Sequence, residues 1–173
     1  MKKIALSILG IAILVFFSIS IHNNIIYRNH QEFASPLPPG MELVTRNDAY
    51  GKGYFGARRN GSRKHNGIDL VADTGIPVYA VRSGYVLKAE NKKANGNYVK
   101  LDHGDNLCSF YLHLASYCVK EGQRVRQGQM IGRVGKTGNA FNHDMLPHLH
   151  FEVRDNGAPL NPMEDCLNEK NRI

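Results

Sequence analysis

The sequence predicts an all-β domain, a compact antiparallel sandwich or open barrel, behind an N-terminal membrane helix. Three observations carry this expectation. From about Asp48 the chain breaks into short apolar–polar segments separated by glycine turns. No run of 3.6-residue periodicity emerges between 48 and 165. An uncharged, mostly apolar stretch from Ile4 to Ile21 follows Lys2 and Lys3.

The N-terminal stretch comes first. Its 18 residues span roughly 27 Å as a helix, close to the thickness of a hydrocarbon core. The positive flank precedes the run, so the rest of the chain is expected to be exported. Ser18-Ile19-Ser20 offers a small-x-small cleavage site, so a cleaved signal peptide and a retained anchor are both open; the length favours the anchor. No cysteine follows the run directly, which argues against a lipoprotein. Residues 22–46, polar and broken by Pro36, Pro38, Pro39 and Gly40, read as a linker. The folded domain is expected over 47–165, with a tail at 166–173.

Within the domain, strands are expected near 68–71, 77–81, 84–90, 96–102, 107–113, 118–120, 129–134 and 148–154. Turns fall at "SGY", "ANGN", "HGDN", "EGQ", "QGQ" and "DNGA". The segment "EGQRVRQGQMIGRVG" repeats a Gly-Gln pair six residues apart, which reads as two tight β-turns between short strands. In "CSFYLHL", Cys108, Phe110 and Leu112 read as the apolar face, with Ser109, Tyr111 and His113 opposite.

The net charge of +7 favours an anionic partner such as an acidic wall polymer, a membrane surface or a nucleic acid. The basic residues are scattered and there is no tryptophan, so the reading gives no nucleic-acid partner. Cys108, Cys118 and Cys166 form no close pair of the kind that builds a thiolate metal site. If a disulfide forms, the expected pair is Cys118–Cys166. Cys108 reads as a small buried residue.

The most informative stretch is "PHLHFEVRDNG" at 147–157. Leu149, Phe151 and Val153 make a core face, so His148, His150, Glu152 and Arg154 share the other. Two imidazoles side by side suggest a metal or acid–base site if partners exist. Upstream, "RKHNGIDLVAD" places His65 four residues before Asp69, with Gly67 between them as a bend. Imidazole nitrogen and carboxylate oxygen are both zinc donors. His113 adds a fourth histidine. Three protein ligands plus water make a catalytic rather than a structural zinc site, and two histidines are left for proton handling. There is no HExxH, so no helix-borne glutamate base is expected.

The fragments "GYFGARRNGSRKHNGIDL", "GIPVYAVRSGYVLKAE", "GNYVKLDHGDNLCSFYLHL", "VKEGQRVRQGQMIGRVGKTG" and "PHLHFEV" together resemble the M23 zinc peptidases, the lysostaphin or LytM-type endopeptidases. The resemblance runs from about residue 50 to 162 and implies a LytM-type antiparallel β fold with one Zn²⁺. It implies peptidoglycan peptides as substrates and so a place in the bacterial envelope; the N-terminal run adds that the protein is anchored in the inner membrane, periplasmic or secreted. By motif, His65, Asp69 and His150 match the metal ligands, and His113 and His148 the catalytic histidines; which of the two is the base stays open. Glu152 is expected as a partner of a ligand ring or as a strand carboxylate paired with Arg154, and Tyr111 as a neighbour of the site. The segment "NAFNHDML", 139–146, is longer than the family's usual passage. It is expected to border the cleft with His143 and Asp144, or else to be a solvated insertion. The short, membrane-tethered build favours a D-Ala–diaminopimelate cross-link. The competing reading is a non-catalytic envelope module on the same scaffold; no ligand or catalytic histidine is missing, which argues against it.

Overall fold

The computed structural model describes residues 32–167 apart from residue 60, together with 10, 11 and 13–19. The chain divides into two compact units, Met1–Gln31 and Glu32–Ile173. In the first, the described residues are helical. Among the described residues no helix is long and apolar enough to cross a membrane. The remainder of the run expected as a membrane helix, and residues 168–173 of the expected tail, lie outside the described residues.

The second unit is built from antiparallel strands, as the turn-broken pattern predicts. In chain order they are β1 (Asn47–Asp48), β2 (Gly51–Lys52), β3 (Ile68–Val71), β4 (Pro77–Tyr79), β5 (Gly84–Lys92) and β6 (Gly96–Asp102), followed by β7 (Leu107–Leu114), β8 (Ser116–Tyr117), β9 (Arg124–Val125), β10 (Met130–Arg133), β11 (His148–Asp155) and β12 (Ala158–Leu160). Seven strands form one sheet in the order β12-β11-β7-β6-β5-β9, with β3 also paired to β11. A second sheet runs β4-β10-β8, and β1 pairs with β2. The core draws on both larger sheets: Leu149, Phe151 and Val153 of β11 share one apolar cluster with Val78 of β4 and Ile131 of β10.

The turns follow their residues. Asn156 and Gly157 between β11 and β12 both have positive φ, 48° and 82°, as a two-residue type I′ hairpin requires. The Gly-Gln repeat gives two turns of one design. Gln123 and Gln129 donate their backbone N–H to the carbonyls of Lys120 and Arg126 at 3.0 Å each. Their side-chain oxygens accept from the backbone nitrogens of the same two residues, at 3.1 and 3.0 Å. Gly122 and Gly128 supply the positive φ at the third position of each turn.

Four expectations need correction. The linker read over 22–46 is folded against the domain from residue 32 on: Leu37 and Leu43 are buried, and 44–46 runs along the edge of β3, with Arg46 N donating to Asp69 O at 2.8 Å. Cys166 and Leu167, assigned to the tail, are buried in the core. All three cysteines are free: Cys118 is exposed and points at the carbonyl of Met130, whereas Cys166 is buried, so the two occupy different surroundings. The faces of β7 are the reverse of the expected ones. Ser109 and Tyr111 point into the core, and Cys108 and Phe110 lie half-buried on the histidine face. Tyr111 is therefore no neighbour of the site. Its hydroxyl accepts from Val81 N at 2.9 Å and contacts Ser109 Oγ at 3.0 Å, which in turn meets buried His103 Nε2 at 2.7 Å. That network satisfies the polar atoms and lets a polar-looking face be the buried one.

Candidate metal centre

β11 and β3 pair antiparallel with His150 directly opposite Asp69, which sets their side chains side by side on the face away from the core. His65 enters from the segment before β3, held by His65 N donating to Ala57 O at 2.9 Å and Gly56 N donating to His65 O at 2.8 Å. Gly67 lies in the bend that leads into β3, as expected, and also permits close approach: a Cβ there would lie 2.3 Å from Phe151 O.

The three residues converge. His65 Nε2, Asp69 Oδ1 and His150 Nδ1 form a triangle with sides of 3.1, 2.8 and 3.0 Å. The far sides of all three groups are engaged. His65 Nδ1 lies 3.0 Å from the Tyr54 carbonyl, and His150 Nε2 lies 2.9 Å from Glu152 Oε1. Both outer nitrogens must therefore donate, which turns the inner nitrogens into lone pairs. Asp69 Oδ2 accepts from Arg46 Nη2 and Arg59 Nη2, each at 3.0 Å, and leaves Oδ1 for the centre. Two lone pairs and a carboxylate oxygen this close need a cation among them. Donors about 2.0–2.1 Å from one zinc sit about 3.3 Å apart in a tetrahedron, so the triangle would open by only a few tenths of an ångström. The donor set fits zinc.

The electrostatics of the cluster point the same way. Burial works against a charge on His150, but Asp69 and Glu152 prevail and raise its pKa to about 9, so a proton stands in for the cation. Burial also opposes charge on Asp69, yet His150 and His65 hold its carboxyl far below the usual carboxylate range. Glu152 is buried too, and His150 and Arg154 keep it ionised. Its second oxygen accepts from Arg154 Nε at 2.8 Å and Nη2 at 2.6 Å, so Glu152 meets both the His150 ring and Arg154.

His148 and His113 flank this group. The ring centroid of His113 lies 5.4 Å from that of His148 and 5.8 Å from that of His150. A bulge explains how His113 gets there. β6 pairs Val99 with Tyr111 but Asn97 with Leu114, so β7 carries one extra residue, and His113 takes φ 64°. Leu112 and His113 both line the cleft as a result, while Leu114 returns to the core. His113 Nδ1 lies 2.9 Å from the Thr137 carbonyl, and His148 Nδ1 lies 2.8 Å from the Leu146 carbonyl. Each ring is thus held as a donor at Nδ1 with Nε2 free to accept. Burial, aided by the charges of His150 and His148, pushes His113 down to about 3; burial also lowers His148.

The group sits in a cleft of about 740 Å³. Asn139, Ala140 and Met145 bring the 139–146 loop to its edge, but His143 and Asp144 do not line it. Those two are exposed and pair with each other at 2.9 Å, outside the group that could hold a metal. Sequence reasoning passed over Arg46, Arg59 and Asp48. Asp48 accepts from Arg46 Nη1 and Tyr50 N with one oxygen and from Leu146 N with the other.

The model of the family described as peptidase family M23 matches residues 63–162. The chain belongs to peptidase family M23. Its relatives include the peptidoglycan DD-endopeptidase ShyA of Vibrio cholerae, 42% identical over 100 residues that make up 58% of this chain and 22% of ShyA. Among solved structures, a zinc-containing peptidase from Vibrio cholerae is similar with a TM-score of 0.65 and 31% identity, over 78% of this chain and 40% of that one. The catalytic domain of the antimicrobial peptidase lysostaphin from Staphylococcus simulans gives a TM-score of 0.55 at 35% identity, over 66% of this chain and 87% of the domain. This M23 chain spans about a fifth to a third of the length of the curated relatives it matches.

Proposed function

We propose that this M23 protein is a zinc-dependent endopeptidase that hydrolyses peptide cross-links or stems of peptidoglycan. The observation that carries the reading is the pairing of two histidine sets in one cleft. His65, Asp69 and His150 turn three donor atoms inward, and His113 and His148 stand beside them with unprotonated Nε2 atoms. A bound zinc ion would supply Lewis acidity, acidifying a water and polarising the scissile carbonyl. The chain's own residues do the rest. His113 or His148 accepts the attacking water's proton at Nε2. With both ring nitrogens protonated it becomes a donor, able to hold the developing oxyanion or to return the proton to the leaving amine. Both rings are buried and low in pKa, so both are neutral and ready to accept at neutral pH. The carbonyls of Thr137 and Leu146 fix the tautomer of each ring, and Glu152 fixes that of His150.

We place the activity in the bacterial envelope, outside the cytoplasm. The apolar run at 4–21 would act there as an inner-membrane anchor or a cleaved signal for a periplasmic or secreted enzyme. Support comes from the composition of that run and from relatives named for peptidoglycan; the name of ShyA also favours a cross-link between D-amino acids. The test is mass spectrometry of muropeptides after incubation with the zinc-loaded protein. Cross-linked dimers should resolve into monomers, and no cut in any wall chemistry would sink the reading.

A further inference from the structure

Arg58 and Lys64 face each other across the short hairpin that delivers His65. The two residues form an antiparallel bridge, and Arg59 N donates to Arg63 O at 3.0 Å beside it. Both side chains are exposed and both line the cleft of the metal-ligating group. Like charges directly opposed on paired strands destabilise them. Among the described residues neither makes an ion pair that would relieve the repulsion. Their neighbour Arg59 is committed elsewhere, to Asp69 and to the carbonyl of Lys52. The two acids that line the cleft are also engaged, Asp69 by two arginines and Glu152 by His150 and Arg154. The lining residues contributed by 94–95 and 139–145 are uncharged. The cleft therefore keeps an uncompensated pair of cations next to its metal-ligating histidine.

We propose that Arg58 and Lys64 form an anion subsite that takes a carboxylate carried by the peptide substrate. The proposal rests on reading the cleft as a peptide-binding site. A guanidinium fork and a mobile ammonium on one side of a cleft suit a carboxylate, which the first grips through two parallel hydrogen bonds and the second neutralises. The bound anion would also remove the repulsion across the hairpin, so the strain of the empty pair would become binding energy. A peptide with a free carboxylate near the scissile bond is the ligand class that fits. Stem peptides with γ-linked glutamate or diaminopimelate carry such groups, and their amidated forms lack them.

The test is equilibrium titration of the zinc-loaded full chain with a stem tetrapeptide and with the same peptide amidated at its side carboxylates. Amidation should weaken binding about 3- to 10-fold at low salt, as expected for a partly exposed charge pair, and the difference should shrink at high salt. The double variant Arg58→Gln, Lys64→Gln should bind the two peptides equally, with its zinc content unchanged. Arg58→Glu gives a second measurement: it replaces a repulsive cross-strand pair with an attractive one, so the melting temperature should rise while the preference for the free carboxylate falls. Equal binding of both peptides by the unaltered protein, no binding of either, or a double variant that still discriminates overturns the subsite. Failure of the enzyme reading is separate. Charge-selective binding without cleavage of cross-linked dimers keeps the subsite and removes the hydrolase; cleavage without charge selectivity does the reverse.

Discussion

The backbone nitrogen of Leu146 donates to Asp48 Oδ2 at 3.1 Å, a bond that spans 98 residues of sequence. The carbonyl of the same Leu146 holds His148 Nδ1 at 2.8 Å. The other oxygen of Asp48 accepts from Arg46, whose second guanidinium nitrogen holds Asp69. One carboxylate thus ties a candidate metal ligand to a candidate catalytic ring. Burial opposes its ionisation, but Arg46 and the backbone nitrogens of Leu146 and Tyr50 hold its pKa below the ordinary value. Asp48→Ala should let the Leu146 carbonyl drift and leave the His148 ring unanchored. We expect kcat to fall about 10-fold, in the range seen when groups that orient site residues are removed. KM should change little. Steady-state kinetics beside zinc analysis checks this, and an unchanged kcat refutes the link.

Glu152→Gln tests the opposite end of the centre. The amide keeps the shape but loses the charge that His150 Nε2 and Arg154 both meet. His150 then becomes a weaker donor towards a metal. Zinc affinity should fall about 10- to 100-fold, read by competition with a chelator, while the fold persists. Equal affinity in the two proteins would show that Arg154 alone occupies the carboxylate.

How much of this was legible in the sequence differs from strand to strand. In β11 the alternation of Leu149, Phe151 and Val153 with His148 and His150 gave the faces correctly, because the core side is purely apolar. In β7 the same rule reversed them. Ser109 and Tyr111 are buried because their hydroxyls satisfy each other and His103, and pattern alone does not reveal such a network. The bulge at His113 then shifts the parity again, so His113 reaches the cleft for a reason that alternation could not supply. Three of the groups that orient the histidines are the carbonyls of Tyr54, Thr137 and Leu146, which leave no mark on residue type. Arg59 and Arg58 are adjacent and identical in the sequence, yet one holds Asp69 and the other lies exposed in the cleft.

Two buried histidines make stability depend on pH in opposite directions. In metal-free protein the folded state binds a proton on His150 up to about pH 9, whereas the unfolded chain releases it near the ordinary value of 6.5. Stability from this group is complete below about 6.5 and is lost as pH rises through 9. His113 works the other way. Its folded value of about 3 lies under the unfolded 6.5, so the unfolded chain takes the proton first and stability falls as pH drops below 6.5. The melting temperature of chelated protein should therefore peak near neutrality and decline on both sides. If zinc takes the place of the proton on His150, the alkaline decline should vanish in the loaded protein. Calorimetry in buffers of different ionisation heat should also show about one proton released per zinc bound at pH 7.5. Zinc binding without proton release would mean that His150 is not a ligand.

The proposed roles of His113 and His148 separate from those of His65, Asp69 and His150 by a simple contrast. Neither belongs to the group formed by His65, Asp69 and His150, so His113→Ala and His148→Ala should bind zinc at full stoichiometry. Each should lower kcat about 10²- to 10⁴-fold, the usual worth of a positioned acid or base. If one ring takes the water's proton and the other steadies the oxyanion, the double variant should lose less than the product of the single losses, because residues acting on one transition state are not additive. His65→Ala should behave differently, with zinc and activity lost together. The pH–rate profile assigns the base. The variant that retains the base should keep the acid limb of the unaltered protein, and the variant that lacks it should show a rate rising with hydroxide instead. Retention of full activity by either single variant would remove that histidine from the chemistry and leave it as packing beside the metal.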